Sequence, residues 1–312
     1  MSVHNNYYTC YYNNDPTKFV RTDLYDKWNI HFHIDNIVRV PKTFKQEVLH
    51  TCELIYERFR SSTPKLNLFF SGGIDSEALL KCFVELKIPI NPIVIIHSHD
   101  PTSPETRQAL YICEKMRVDP TIINMDLHAM YARGLCTDIG IKYSTQRIAM
   151  IELLRAFEII SEPCIISDDV QLMYYSSSTN MISRNEISKQ QWFYEIKEDI
   201  DGVFDRYEKI TGIPVVADTL KYTPESWAAM IMTPQIKDIV INYRGKSSSN
   251  TTKNVMMSKE FGVPWREKTS VFDTGHYRKL ADKLTRELSE SILPTSIVPL
   301  EYTALLTILG IE

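Results

Sequence analysis

The feature of this chain that most constrains its fold is an alternation of short apolar runs with amphipathic segments between residues 66 and 166. The apolar runs have the length and composition of buried strands, and the segments between them carry apolar residues at helical spacing. The predicted strands are Leu66–Phe70, Pro92–His97, Thr121–Asn124 and Cys164–Ser167. Strands that alternate with helices imply right-handed crossovers, so we expect an α/β fold with a doubly wound parallel sheet.

Outside this region the pattern predicts a short N-terminal β segment and a mostly helical C-terminal part. Residues 28–35 alternate apolar and polar side chains, as a half-buried strand does. Cap and periodicity signals predict helices over 43–60, 190–207 and 223–232, and residues 245–250 are typical of a flexible loop. We divide the chain into N-terminal strands and a helix (1–60), a ligand-binding core (61–180) and a helical region that completes the substrate pocket (181–312).

The composition argues against several classes of protein. The 312 residues carry a net charge of −4, so no overall positive field attracts nucleic acid. The net charge does not decide whether a local basic groove exists. The 6 cysteines include no Cys-x-x-Cys pair, and we interpret them as reduced and buried rather than as metal or redox groups. No signal peptide and no apolar run near the ~20 residues of a membrane helix is visible, so we expect a cytoplasmic protein without a membrane partner.

The junction between the first strand and its helix carries the strongest chemical signal, the string Ser71-Gly72-Gly73-Ile74-Asp75-Ser76. Glycines let backbone amides approach an anion, and a helix start adds free N–H groups and a positive dipole end. The serine hydroxyls add donors, and the Asp75 carboxylate suits a Mg²⁺ ion that bridges it to phosphates. A tight glycine turn is the alternative, but the whole string in a strand–turn–helix context favours a phosphate site. It is neither a Walker loop nor a dinucleotide fingerprint.

This string resembles the signature of the PP-loop ATP pyrophosphatases, a family that includes asparagine, GMP and NAD synthetases and tRNA-modifying enzymes. The likeness covers roughly residues 64–170 and is greatest to the synthetase domain of asparagine and β-lactam synthetases. It implies an adenine nucleotide alpha hydrolase-like, Rossmann-like fold with ATP and Mg²⁺ as cofactors. In the implied chemistry a substrate oxygen attacks the α-phosphate, and the loop holds the departing pyrophosphate.

Acidic residues after the fourth strand are candidate metal ligands. Asp168 and Asp169 would bind Mg²⁺ together with Asp75, and the residues leave open which of the two is the direct ligand. An ordinary helix cap is the alternative. The preceding Ser167 lies at the same predicted edge of the sheet, and the resemblance matches Ser167-Asp168-Asp169 to a Ser-Asp-Glu-like loop of the asparagine synthetases.

A late basic segment resembles the family's Pro…Arg-x-Lys-x-x-Phe pattern, with one extra residue before Phe272. The resemblance implies that Lys268 reaches the phosphates and that Arg266 belongs to the catalytic set. A lysine there would offset negative charge as the bond between the α- and β-phosphates breaks. A solvated basic loop is the alternative, and Lys253 and Lys259 are weaker substitutes for the same role.

The adenine ring needs an apolar slot, which the resemblance assigns to the ends of the first two strands. Ligands of such sheets bind beyond the carboxyl ends of the strands, where polar residues of this chain collect. Arg107 and Arg147 are lesser candidates for binding a substrate carboxylate or phosphate. The slot is assigned to Phe69, Phe70, Ile96 and His97, and the candidate nucleotide-binding residues are Phe70, Ser71, Gly72, Gly73, Ile74, Asp75, Ser76, His97 and Ser167.

These observations favour an ATP-dependent ligase or amidotransferase that adenylates a carboxylate or carbonyl substrate and then transfers an amine with release of AMP. Only 70 residues precede the loop, so we expect no glutaminase domain in this chain. Ammonia would come from solution, from a separate glutaminase or from a substrate amine. A nucleobase- or tRNA-modifying enzyme is one alternative, including sulfur transfer and deazaguanine-type chemistry, with Lys246, Lys253 and Lys259 on a phosphate backbone. A non-catalytic ATP-binding module is the other.

Overall fold

The computed structural model describes residues 8–12, 30–167, 172–175, 191–217, 219–242, 249–266, 272, 275–289, 297–301, 306–307 and 309–311. The strands within these ranges form three sheets. They are β1 (Tyr8–Tyr12), β2 (Ile30–Ile34), β3 (Leu66–Phe69), β4 (Ile90–His97), β5 (Thr121–Met125), β6 (Cys164–Ile166), β7 (Leu172–Tyr175), β8 (Gln191–Lys197), β9 (Val215–Val216) and β10 (Ile297–Glu301).

Three of the described helices begin at a capping residue that the sequence predicts. The predicted caps Thr43, Ser103 and Thr223 each accept a hydrogen bond from the backbone N–H three residues on, which satisfies a donor that the first helical turn leaves open. No described helix is both long and apolar enough to cross a bilayer. The helices are α1 (Phe44–Phe59), α2 (Ile74–Glu85), α3 (Pro104–Met116), α4 (Leu127–Ala132), α5 (Leu135–Tyr143), α6 (Ile148–Ile160), α7 (Glu198–Thr211), α8 (Pro224–Ile231), α9 (Pro234–Asn242), α10 (Ser249–Phe261) and α11 (Gly275–Leu288), with a 3₁₀ turn over Thr219–Lys221.

The central sheet has five strands in the order β5-β4-β3-β6-β9, and every neighbouring pair is parallel. The chain moves outward from β3 through β4 to β5, and then returns to place β6 and β9 on the other side of β3. This order confirms the predicted α/β fold with a doubly wound sheet. It also puts the reversal of strand order between β3 and β6, where such sheets form a ligand crevice at their carboxyl ends.

Helices cover both faces of the central sheet because alternate side chains of β3 point in opposite directions. Leu68 and Phe70 belong to one apolar cluster with residues of α1, α2, α8 and α10. Phe69 belongs to the other, which includes residues of α5, α6, α7 and α11, and its ring meets Phe157 edge to face at 4.8 Å. The four strands predicted in the sequence therefore lie between two buried layers, which fixes the ends of these strands as a rigid platform.

The two smaller sheets confirm one predicted strand and contradict part of one predicted helix. The strand predicted over residues 28–35 is present as β2, paired antiparallel with β1. The predicted helix over 190–207 is wrong in its first part, because residues 191–197 form β8 and the helix begins only at residue 198. Strand β8 pairs with β7 and with β10, about 100 residues further along the chain, and a pairing so distant leaves no local signal.

Two further predictions are settled by the described residues. The helix α10 begins at Ser249, so the predicted loop over 245–250 is wrong for its last two residues, while residues 243–248 lie outside the described ranges. Five cysteines are free and buried, in agreement with their interpretation as apolar side chains. Burial raises the pKa of the Cys113 and Cys136 thiols to about 11.

Candidate nucleotide-binding site

The loop after β3 turns into α2 through two glycines with different conformations. Gly72 has φ of +74°, the left-handed region that favours glycine, and a Cβ there would lie 2.7 Å from the backbone nitrogen of Ala109. Gly73 is the extended N-cap of α2, and among the described residues no side-chain hydrogen bond caps this end. The first turn of α2 therefore presents N–H groups that a bound anion can satisfy.

The serines of the loop hold its shape. Ser71 Oγ accepts a hydrogen bond from the Gly73 N–H at 3.2 Å and lies 3.3 Å from Ser76 Oγ. Ser76 Oγ donates to the Gly73 carbonyl at 3.0 Å. Ser71 and Gly73 are exposed, whereas Ser76 is buried. The loop is thus open to solvent on the side that a phosphate would approach, and its hydroxyls are close enough to share one ligand.

A cavity of about 350 Å³ lies beside the loop at the carboxyl ends of the parallel strands. This volume is within the range of small-molecule sites. Of the predicted nucleotide-binding residues, Phe70, Ser71, His97 and Ser167 all line it. Its walls are mostly apolar. Most of them come from β4, α3 and α6, and others from β6, α7 and the segments after β9 and before α11. They include Ile93, Val94, Ile95, Ala109, Ala149, Met150, Leu153, Ile166, Phe204, Ala217 and Phe272.

His97 and Glu152 form a buried pair at the wall of this cavity. His97 Nε2 is hydrogen-bonded to Glu152 Oε1, and only 8% of each side chain is exposed. Burial disfavours the charged imidazole, but the hydrogen bond and negative charge of Glu152 outweigh it, so the pKa of His97 is raised above its ordinary value. The cavity therefore contains a carboxylate next to an imidazole that favours the protonated form.

Two lysines surround the carboxylate of the loop. Lys253 of α10 forms an ion pair with Asp75, and both side chains are largely buried. Lys221, which ends the 3₁₀ turn after β9, is 2% exposed, and its Nζ lies 4.8 Å from the centroid of the Trp227 ring. Burial and the positive charge of Lys253 lower the pKa of Lys221 well below its ordinary value, although Asp75 acts in the opposite direction. Lys253 thus provides the positive charge next to Asp75 at the start of α2, whereas burial favours the neutral form of Lys221.

Arg266 connects the C-terminal part of the chain to the loop. Its guanidinium donates to the Gly72 carbonyl at 3.1 Å and forms an ion pair with the buried Glu77 carboxylate. Asn254 holds the Arg266 backbone through two hydrogen bonds, each of 3.2 Å. These contacts fix the backbone of the loop, as a positioning residue does. The expected catalytic role of Arg266 stays a prediction.

The structure brings part of the predicted site together. Ile74, Asp75 and Ser76 form the first turn of α2, directly after the glycines. Arg147 lines the cavity, while Arg107 is exposed on α3 and Lys259 on α10. Ile95 lines the cavity in place of Ile96, which packs against the opposite apolar cluster. Asp168, Asp169, Lys246 and Lys268 lie outside the described residues.

Sequence reasoning missed Glu152 and Lys221. Glu152 lies on a strongly apolar stretch of α6, and one carboxylate among apolar helix positions was the available signal. Lys221 follows β9, a strand of two residues that is too short to stand out by periodicity. The apolar run Ile213–Ala217 before it was the only hint that a fifth strand end lay nearby.

Comparison with known proteins yields distant structural likenesses. No protein-family model and no curated protein matches the chain. The structure is similar to NMN synthetase from Francisella tularensis, with a TM-score of 0.32 and 14% identity, over 73% of this chain and 98% of that one. It is also similar to a predicted subunit of a tRNA methyltransferase from Methanocaldococcus jannaschii, with a TM-score of 0.28 and 14% identity, over 66% and 94% of the respective chains. At these values neither likeness carries an argument about function.

Proposed function

We propose that this chain is an ATP-dependent ligase that adenylates a carboxylate or carbonyl substrate, releases pyrophosphate, and then transfers an amine with release of AMP. The observation that supports this most is the position of the glycine–serine loop. It joins β3 to α2 next to the reversal of strand order and opens beside a cavity of about 350 Å³. A phosphate chain at the loop would place the rest of a nucleotide in that cavity.

The loop and its lysines would act on the departing diphosphate. The N–H groups at the start of α2 and the hydroxyls of Ser71 and Ser76 would bind its oxygens. Lys253 forms an ion pair with Asp75 in this structure, and its ammonium group would turn to the phosphates once they are bound. We therefore assign to Lys253 the role at the phosphates that sequence analysis first predicted for Lys268. The role of Lys268 itself stays a prediction.

Mg²⁺ fits this site through Asp75, the one carboxylate that the described part of the loop offers. Magnesium at nucleotide sites takes one or two carboxylates together with phosphate oxygens and water, so a single aspartate on a phosphate loop is a suitable start. Asp168 and Asp169 stay candidate further ligands. When bound, the ion would neutralise charge on the phosphate oxygens, and Lys253 would be free to contact them.

Product analysis tests the choice of bond. The protein is incubated with ATP labelled at the α-phosphate, Mg²⁺ and a panel of carboxylic acids with ammonia, and the labelled products are separated. We expect AMP, formed together with pyrophosphate, and loss of at least 90% of the rate (about a tenfold change) in Lys253→Gln. Ser62→Ala, an exposed hydroxyl bonded only locally to the Phe59 carbonyl, is the matched control. Release of ADP and phosphate would rule out the proposed chemistry.

A nucleobase-bearing substrate is the second candidate, and an exposed aromatic ring favours it. Trp265 is 57% exposed and directly precedes Arg266, which contacts the loop. An exposed indole can stack on a base, and each stacked base contributes about 1–3 kcal/mol to binding. If RNA is the substrate, Trp265→Ala will weaken RNA binding roughly tenfold, and binding will fall steeply with salt. Unchanged binding in Trp265→Ala would leave the carboxylate substrate as the proposal.

A further inference from the structure

The Glu152 carboxylate, which lines the cavity beside the loop, has capacity for another hydrogen bond. Among the residues that the structure describes, only His97 is hydrogen-bonded to Glu152, through one of its two oxygens. An ionised carboxylate accepts at both oxygens, with about four lone-pair directions in all. A buried charged group without enough donors costs free energy, so a ligand that brings a donor to Glu152 would be favoured.

The surroundings of this pair are those of a slot for a flat, apolar group. His97 packs against the rings of Phe272 and Tyr277, with centroid distances of 5.8 and 5.2 Å. Most other residues around the cavity are aliphatic or aromatic. A ribose, with its hydroxyls, suits such walls less well than a purine ring does. The group that reaches Glu152 should therefore be planar and apolar, with an N–H donor at its edge.

Among the residues that the structure describes, the other charged groups near the cavity do not supply that donor. Arg147 and Glu105 also line the cavity, and both Glu105 and Asp100 act on the charge of His97. Arg147 is exposed at the start of α6, and within the described part of the chain it forms no hydrogen bond or ion pair with Glu152. The unfilled capacity of Glu152 is therefore left for a ligand.

We propose that Glu152, positioned by His97, selects adenine by accepting a hydrogen bond from its exocyclic amine. The proposal rests on the proposed function, because a nucleotide held by its phosphates at the loop would extend its base into the cavity. Guanine and hypoxanthine carry a carbonyl oxygen where adenine carries the amine. That oxygen would face the Glu152 carboxylate, so two hydrogen-bond acceptors would lie against each other. Both would lose their hydration without gaining a hydrogen bond, which disfavours binding.

Nucleotide binding measured by calorimetry tests this inference on the whole chain. We expect wild-type protein to bind ATP at least about tenfold more tightly than inosine triphosphate or N6,N6-dimethyl-ATP, because one base-edge hydrogen bond contributes about 1–3 kcal/mol to discrimination. In Glu152→Gln the side-chain amide can donate to the carbonyl oxygen, so the preference should shrink to within about threefold. Glu53→Gln, an exposed change on α1, is the matched control and should keep the wild-type preference.

The outcomes separate this inference from the function on which it rests. Two results would overturn the assignment of Glu152 to the adenine amine and leave the proposed function standing. In the first, ATP binds but Glu152→Gln keeps the full preference; in the second, 2′-deoxy-ATP loses as much affinity as N6,N6-dimethyl-ATP. If Glu152→Gln does not fold, the wild-type series decides, and equal affinity for ATP and N6,N6-dimethyl-ATP overturns the assignment. If the wild-type protein binds no nucleotide, the proposed function fails as well.

Discussion

Replacement of Gly72 by alanine is expected to destabilise the protein through two separate effects. Gly72 has φ of +74°, and a β-carbon in this left-handed region costs about 1–2 kcal/mol. The new atom would also lie 2.7 Å from the backbone nitrogen of Ala109 and 2.9 Å from its Cα. Because both contacts are with backbone, relief requires a shift of α3 against the loop, and overpacking of this kind costs about 1–3 kcal/mol. The sum predicts a loss of roughly 2–5 kcal/mol.

Gly134 provides the matched control for the conformational part of that loss. Its φ is +77°, but an added Cβ would meet nothing within 4 Å. Gly134→Ala should therefore lose only about 1–2 kcal/mol, the cost of the left-handed conformation without the clash. The difference between the two variants isolates the contact between the loop and α3.

Urea unfolding followed by circular dichroism measures both variants, with the free energy of unfolding taken from linear extrapolation. Since domains are stable by about 5–15 kcal/mol, Gly72→Ala should fold and give a measurable transition. Equal losses in the two variants would refute the reasoning, because the loop would then not be packed against α3. ATP affinity should fall in Gly72→Ala and stay unchanged in Gly134→Ala.

Three further predictions concern charged side chains. Glu47→Gln removes a fully buried carboxylate whose two oxygens accept hydrogen bonds from the two terminal guanidinium nitrogens of Arg39. We expect a loss of about 3 kcal/mol in urea unfolding, against at most ~1 kcal/mol for the exposed Glu57→Gln, and similar losses would contradict this prediction. Because the pKa of His97 is raised in the folded state, its stabilising effect is complete below about pH 6.5 and is lost as pH rises through the raised pKa. Unfolding measured between about pH 6 and 9 should show this fall in wild type but not in His97→Gln. Arg266→Ala removes the bond to Gly72 and should weaken ATP binding about tenfold without changing its base preference; unchanged affinity would exclude a positioning role.

The central sheet could be predicted from the sequence because its signals are local. Each of its first four strands is a short apolar run, and the helices between them have caps such as Ser103 that mark their first turn. The parallel order follows from the alternation of strands and helices, since a crossover helix forces neighbouring strands to run in one direction. The loop Ser71–Ser76 was recognisable because its glycines, serines and aspartate are adjacent in the chain.

The rest depends on contacts between distant residues and could not be predicted. The pairing of β8 with β10 joins Phe193 to Glu301, and a helical pattern in the same segment gave no warning of it. The ion pair of Lys253 with Asp75 and the contact of Arg266 with Gly72 each join residues more than 170 positions apart. Such pairs follow from tertiary packing, which is why the sequence ranked Lys268 before Lys253 for the role at the phosphates.

Separate binding of the two halves of the nucleotide tests the central claim most directly. Calorimetry with pyrophosphate and, independently, with AMP, both in the presence of Mg²⁺, should show that each binds the wild-type protein. Lys253→Gln and Ser76→Ala should weaken pyrophosphate about tenfold and change AMP affinity by less than about twofold, because a charge-assisted hydrogen bond contributes about 1.5–3 kcal/mol. Absence of pyrophosphate binding, or equal losses for both ligands, would contradict a diphosphate site at the start of α2.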